Sequence, residues 1–181
     1  MKVAISGLAG SGKTVFAKAL HKALVEKGID VKLITPSFKD VAAQLKMSLA
    51  EYEAIAQKDF RVDRLFDEKV KEHFSKEKNA IIASWLAIWN VDADLKIFLH
   101  APLEVRAERI AKRDSVPIES AKAYVLDRDY RNRARYMAVY GIDIYNFADN
   151  VDAVLNSARL SLEGEVKAAL GLLSSKGFLQ L

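Results

Sequence analysis

The octapeptide Gly7-Leu8-Ala9-Gly10-Ser11-Gly12-Lys13-Thr14 constrains this chain more than any other stretch. It has the full spacing of Gly, four residues, Gly, Lys and Thr that makes a phosphate-binding loop between a strand and a helix. Lys2-Val3-Ala4-Ile5-Ser6 ahead of it reads as a short buried strand, and Val15 to Val25 behind it as an amphipathic helix. Gly7, Gly10 and Gly12 allow successive backbone N–H groups to point inward at an anion. The helix start adds free N–H groups and the positive end of its dipole. Residues Ser11 to Thr14 are thus expected to hold a phosphate donor. Lys13 would reach the β- and γ-phosphates of ATP, and the Thr14 hydroxyl would ligate Mg²⁺. A glycine-rich turn with a surface lysine is the bland alternative, and it leaves the flanking strand and helix unexplained.

The chain's 181 residues suffice for one substantial core with a small inserted lobe. Cysteine is absent, which excludes disulfides, zinc–thiolate sites and cysteine nucleophiles and suits the cytoplasm. The first apolar run, Val3-Ala4-Ile5, is too short for a secretory signal, and no run approaches the length of a membrane span. The formal charge of +4 is modest, and no nucleic-acid-binding module accompanies it. A nucleotide pocket explains it better, and the expected partner is a small-molecule phosphate acceptor rather than a nucleic acid or a membrane. The chain itself is expected to be a monomer or homodimer.

Strand and helix patterns alternate along the sequence. Strands are expected at Ile29–Thr35 (ended by Pro36), Asn79–Ser84, Leu95–His100 and Ala153–Asn156. The polar segment from Phe38 to Lys78 is helical in pattern. Ser48-Leu49-Ala50-Glu51 is a capping box opening a helix to about Lys58, and a second helix runs from about Asp59 to Phe74. Pro102 opens a helix from Leu103 to Lys112. Pro117 opens a long one that Gly141 stops at Tyr140, and a last helix covers Leu162 to Leu173. The expected fold is α/β, a sandwich around a mainly parallel five-stranded sheet. Its parts are a core of residues 1–37, 79–112 and 141–181, a helical acceptor lobe at 38–78 and an arginine-rich lid at 113–140.

The arginines support the lid. Arg128, Arg131 and Arg135 are spaced to share one helix face, and Arg106, Arg109 and Arg113 repeat that spacing on the preceding helix. With Asp114 to Pro117 as the turn between, the two faces resemble a hinged flap that closes on a polyphosphate, since the guanidinium fork grips phosphate oxygens in pairs. The alternative is a solvated helix laced by ion pairs with Glu104, Glu108, Asp127 and Asp129. An RNA-binding helix is a third reading, but it lacks an aromatic platform. Asp59 and Asp63 either order Mg²⁺-bound water and fix an arginine, or serve only as solubilising groups on a charged helix face. Trp85 and Trp89, four apart, either line an acceptor pocket or belong to the core.

These residues carry a resemblance to the short archaeal type of cytidylate kinase, a nucleoside monophosphate kinase within the P-loop NTPases. It is clearest in Ala101-Pro102-Leu103-Glu104-Val105-Arg106-Ala107-Glu108-Arg109-Ile110-Ala111-Lys112-Arg113, and it continues through Arg128-Asp129, Arg131 to Tyr136 and Tyr140-Gly141-Ile142-Asp143-Ile144. The resemblance implies transfer of the γ-phosphoryl group of ATP to CMP or dCMP with Mg²⁺. It implies a donor site at Lys13, Thr14, Arg109 and Arg113, and catalytic contacts from Lys13, Arg128, Arg131 and Arg135. It further implies an acceptor site at Asp59 and Asp63. Two positions depart from the pattern. Ala83-Ser84-Trp85 stands where the family has Glu-Gly-Arg, placing Trp85 at the acceptor's phosphate, and Phe60 replaces a basic residue, leaving Arg61 as the neighbouring candidate. A P-loop kinase with another small acceptor (a nucleoside or coenzyme precursor), or a nucleotide-binding regulatory protein with little kinase activity, therefore stand as alternatives.

Overall fold

The computed structural model describes residues 1–180. Five parallel strands, β1 (Lys2–Ser6), β2 (Lys32–Ile34), β3 (Ala80–Ala83), β4 (Leu95–His100) and β5 (Ala153–Asn156), form one sheet in the order β2-β3-β1-β4-β5. Eight helices connect and cover it: α1 (Lys13–Glu26), α2 (Phe38–Gln44), α3 (Leu49–Lys58), α4 (Arg61–Lys76), α5 (Ala87–Asn90), α6 (Leu103–Asp114), α7 (Ile118–Tyr140) and α8 (Leu162–Ser175).

Strand period divides the core between the two faces of the sheet. Val3 and Ile5 of β1, Ile81 of β3 and Leu95, Ile97 and Leu99 of β4 point one way, onto Phe16, Leu20 and Leu24 of α1 and Leu170 and Leu173 of α8. Ala4, Ile82 and Phe98 point the other way, onto Phe74 of α4 and Ile88 of α5, and Phe98 stacks on Phe147 at 3.8 Å. Both faces are covered, so the strands read as near-continuous apolar runs, as parallel strands do. A large, fully buried side chain among these, such as Phe16, Ile5 or Phe98, is worth about 1.5–3 kcal/mol of burial.

Local signals set most element ends. Ser48 accepts the Glu51 N–H while the Glu51 carboxylate accepts the Ser48 N–H, completing the capping box of α3. Ser37 caps α2 in the same manner, accepting from the Asp40 N–H. Gly141 adopts φ 70° and closes α7. The expected strand at Ile29–Thr35 is shorter. Ile29 still donates to the Leu24 carbonyl to close α1, and pairing with β3 begins only at Lys32. The helical stretch from Phe38 breaks at Lys46, where φ is 57°. No helix among the described residues is long and apolar enough to cross a membrane.

β1 lies between β3 and β4, so the chain leaves it toward one side of the sheet and returns to the other. Ligands of open parallel sheets bind in the crevice at such a switch point, beyond the carboxyl ends of the strands.

Candidate active site

A cleft of about 630 Å³ opens at that point. The loop after β1 supplies Ala9, Gly10, Lys13 and Thr14 to it, the loop after β2 supplies Thr35 to Ser37, and the loop after β3 supplies Ala83 to Leu86. Phe38, Glu53, Asp63, Phe66 and Asp67 come from α2, α3 and α4, and Arg113, Arg128, Asn132, Arg135 and Tyr136 from α6 and α7.

The loop before α1 is held in a conformation that needs its glycines. A Cβ on Gly7 would come within 2.6 Å of the Leu99 carbonyl oxygen, and one on Gly10, where φ is 74°, within 2.7 Å of the Arg106 carbonyl oxygen. α1 starts at Gly12 with no side-chain cap and no acidic residue in its first turn. The first N–H groups and the positive dipole end are thus left to an anion.

Two arginines expected on the lid's phosphate face instead brace this loop from behind. Arg106 is buried and donates to the Ala9 and Ala101 carbonyls and, at 2.6 Å, to Asp129 of α7, which in turn accepts from the Ala9 N–H. Ala9 is therefore gripped through both its N–H and its C=O. Arg109, expected to contact the nucleotide, turns its guanidinium onto the Ser11 carbonyl and onto the hydroxyl and carbonyl of Ser157. Buried backbone carbonyls need donors, and this arginine supplies them. Arg113 alone of the three lines the cleft, paired with Asp114 at its mouth.

Lys13 Nζ lies 3.3 Å from the Leu8 carbonyl oxygen and 4.9 Å from the centre of the Trp85 ring. Burial, reinforced by the neighbouring Arg128 charge, lowers the Lys13 ammonium to about 8. Trp85 lines the cleft, its ring 6.5 Å from that of Tyr136, whereas Trp89 packs in the core around Ile88 and Leu86. The helical turn after Ser84 begins only at Ala87, which separates the two tryptophans' fates.

Across the cleft, Arg135 is almost wholly buried between Phe38 and Tyr136, with its Nε 3.4 Å from Asp63. Among the described residues, Asp63 Oδ2 and the Nε atoms of Arg128, Arg131 and Arg135 are buried without a hydrogen-bond partner. Burial raises the Asp63 carboxyl, opposed by Arg135. Asp67, one turn along the same face of α4, accepts from the Tyr140 hydroxyl at 2.6 Å. Burial raises its carboxyl to about 6. Arg128 lines the cleft beside Tyr124, whereas Arg131 is not among the residues lining it and pairs with Asp127 at 2.6 Å.

Asp59 and Arg61 lie outside this constellation. Arg61 folds back on Asp59 at 2.7 Å on the exposed start of α4, where the Asp59 carboxylate also accepts the Arg61 backbone N–H, and neither residue lines the cleft. Sequence reasoning missed Glu53, Asp67 and Tyr136. The four-residue interval from Asp63 to Asp67 was a signal for the second of these; nothing local pointed to Glu53.

Thr14 is exposed at the helix start, as an oxygen ligand to a metal arriving with phosphates must be. Among the described residues no cluster of three His, Asp or Glu can hold a metal. The donor set fits Mg²⁺ only when a polyphosphate supplies most of its oxygens.

The sequence model of the cytidylate kinase-like family matches residues 2–159. The cytidylate kinase of Pyrococcus horikoshii is 40% identical over 179 residues, covering 97% of this chain and 91% of that protein. That of Sulfolobus acidocaldarius is 35% identical, covering 97% and 96%. Among solved structures, a protein of uncharacterised function from Eubacterium ventriosum superposes with a TM-score of 0.69 at 14% identity, covering 97% of this chain and 99% of that one. A shikimate kinase from Bacteroides thetaiotaomicron superposes at 0.63 and 16% identity, covering 96% and 98%. The structural matches establish the fold.

Proposed function

The chain belongs to the cytidylate kinase-like family, and from that premise we propose that it moves the γ-phosphoryl group of ATP to CMP or dCMP. An oxygen of the acceptor's 5′-phosphate forms the new bond to the γ-phosphorus as the bond to the β,γ-bridging oxygen breaks, giving CDP or dCDP and ADP. The observation that carries this reading is one cleft with a cationic phosphate cradle on one wall and buried carboxylates on the other.

Such a transfer needs placement and charge neutralisation rather than covalent chemistry. The loop N–H groups and Lys13 hold the donor's β- and γ-phosphates, and Arg113, Arg128 and Arg135 stand around the path to the acceptor. Mg²⁺, held by Thr14 and the phosphates, would supply further neutralisation of their charge. Residues 38–78 act as the acceptor lobe, and 113–140, the segment expected as the lid, supply the arginine wall that faces it. Asp63 Oδ2, buried without a donor, suits the exocyclic amino group that cytosine presents and uracil lacks. Trp85 offers an aromatic wall to the acceptor, while the lid arginines take its phosphate.

Incubation with ATP, Mg²⁺ and CMP, dCMP, UMP or AMP, with nucleoside diphosphates separated and quantified, tests the reading. Robust CDP and dCDP formation is expected. In Asp63→Asn the preference for CMP over UMP in kcat/KM should fall roughly tenfold, as loss of one base-reading contact implies. Absence of CDP with intact ATP binding would assign the site to another acceptor.

A further inference from the structure

The Lys13 ammonium carries three N–H donors, and its surroundings oppose its charge more than they support it. One contact is with the Leu8 carbonyl oxygen, at 3.3 Å. Asp129 of α7 favours the charge, but that carboxylate is already paired with Arg106 of α6 at 2.6 Å. Arg128 of α7 and Arg106 act against it as like charges. The other close contact is the face of the Trp85 ring, with Lys13 Nζ 4.9 Å from its centre. A ring face is electron-rich and attracts a cation most strongly where water is excluded. Trp85 is itself held from two sides. It packs on the apolar cluster of Ala9, Ile110 and Val125, and on that of Leu86, Tyr136 and Ile144. The phosphate loop, α6 and α7 thus all fix the ring that meets the lysine.

We propose that Trp85 is a positioning residue for the lysine of the phosphate loop, its ring face holding the Lys13 ammonium in place and in its charged form. A carboxylate at this position would also favour the ammonium, but it would repel the donor's phosphates. The indole attracts the cation and carries no net charge, so the lysine keeps its full charge for an anion. Trp85 therefore acts on the donor through Lys13, in addition to the wall it offers the acceptor. The proposal deepens the phosphotransfer reading and rests on it only for the identity of the anion as ATP.

Two measurements test it without turnover. In Trp89→Phe, Trp85 is the single indole, and its fluorescence should titrate with a midpoint of about 8, where the facing ammonium loses its proton. Adding Lys13→Met should abolish that transition. Calorimetric titration with Mg²⁺ and ATP across the same pH range gives the second readout. Trp85→Leu removes the ring face and should move the alkaline loss of ATP affinity down by about half to one pH unit. Affinity should then fall about fivefold at pH 8 and little at pH 6, as a shift of that size implies. Trp85→Phe keeps a ring face and should retain most of the parent's profile. Equal weakening by Trp85→Leu at every pH, with the alkaline limb unmoved, assigns the ring to packing alone and overturns the proposal. So does an indole transition that survives Lys13→Met, or the lack of one between pH 7 and 9. The expected pattern in a protein that binds ATP but makes no CDP would instead overturn the phosphotransfer reading and leave this one standing.

Discussion

Two demands meet at Lys13. In the proposed reading the donor's phosphates need its charge, and the surroundings of the side chain oppose that charge by desolvation and by Arg128. The folded-state pKa of about 8 lies below the ordinary 10.5. Between those values the unfolded chain binds more protons, so stability rises with pH across that window. Lys13→Ala should therefore lower kcat by about 10²- to 10³-fold, the scale for losing one transition-state donor, yet raise the thermal midpoint at pH 7. In the unaltered enzyme kcat/KM for ATP should fall as pH rises through about 8, because that ratio reports the free enzyme. The limb for kcat should lie higher, since bound phosphates hold the proton on Lys13. Paired pH profiles and a melting curve check all three outcomes, and a variant no more stable than its parent would contradict the assigned strain.

At the scale of elements, α7 is tied to the phosphate loop through Arg106 and Asp129, both buried. Removing one partner leaves the other charge unsatisfied, which costs about 3–5 kcal/mol. At roughly 2–4 °C per kcal/mol for a chain of this size, Asp129→Ala should lower the melting midpoint by about 10 °C. It should also raise KM for ATP as Ala9 loses its N–H acceptor. Arg106→Ala combined with Asp129→Ala should cost less than the sum of the single changes, a coupling that denaturant titration of the four proteins measures. This brace marks where sequence legibility ended. The capping box at Ser48 and Glu51, the opening at Pro102 and the stop at Gly141 act within one turn, so spacing alone reveals them. Whether an arginine on a charged helix faces phosphate or backbone depends on what a residue far along the chain presents to it. The spacing of Arg106, Arg109 and Arg113 placed them on one face. It could not distinguish the carbonyls of Ala9 and Ser157, which took the first two, from the cleft, which took the third. Asp59 and Arg61 satisfied each other two residues apart, a local pairing stronger than any reach toward the cleft.

Across the whole molecule, that brace decides which wall of the cleft moves. The long helix α7 buries Val125, Asp129, Asn132 and Tyr136 along its middle, packs along α6 and grips the loop before α1. A swing of this helix as a free flap would break the buried Arg106–Asp129 pair. The opposite wall is lighter. α2 and α3 carry few buried side chains, Ala42 on the first and Tyr52 and Ala56 on the second, and are followed by the exposed start of α4. Phe38 meets Tyr52 edge-on to join the two helices, and their ties to the rest include its edge contact with Phe66, its contact with Arg135 and the Glu53 charge pairs with Arg128 and Arg131. Elements with few buried apolar contacts open at low free energy. Closure should therefore bring the 37–60 segment onto a nearly fixed α7. Backbone hydrogen exchange, measured with CMP and an ATP analogue that cannot release its γ-phosphoryl group, distinguishes the two motions. Residues 37–60 should gain protection on binding, while residues 125–136 should already be protected in the free protein. Protection gained chiefly within 118–136 would instead establish the lid as the moving part, and would require the Arg106–Asp129 pair to open in each cycle.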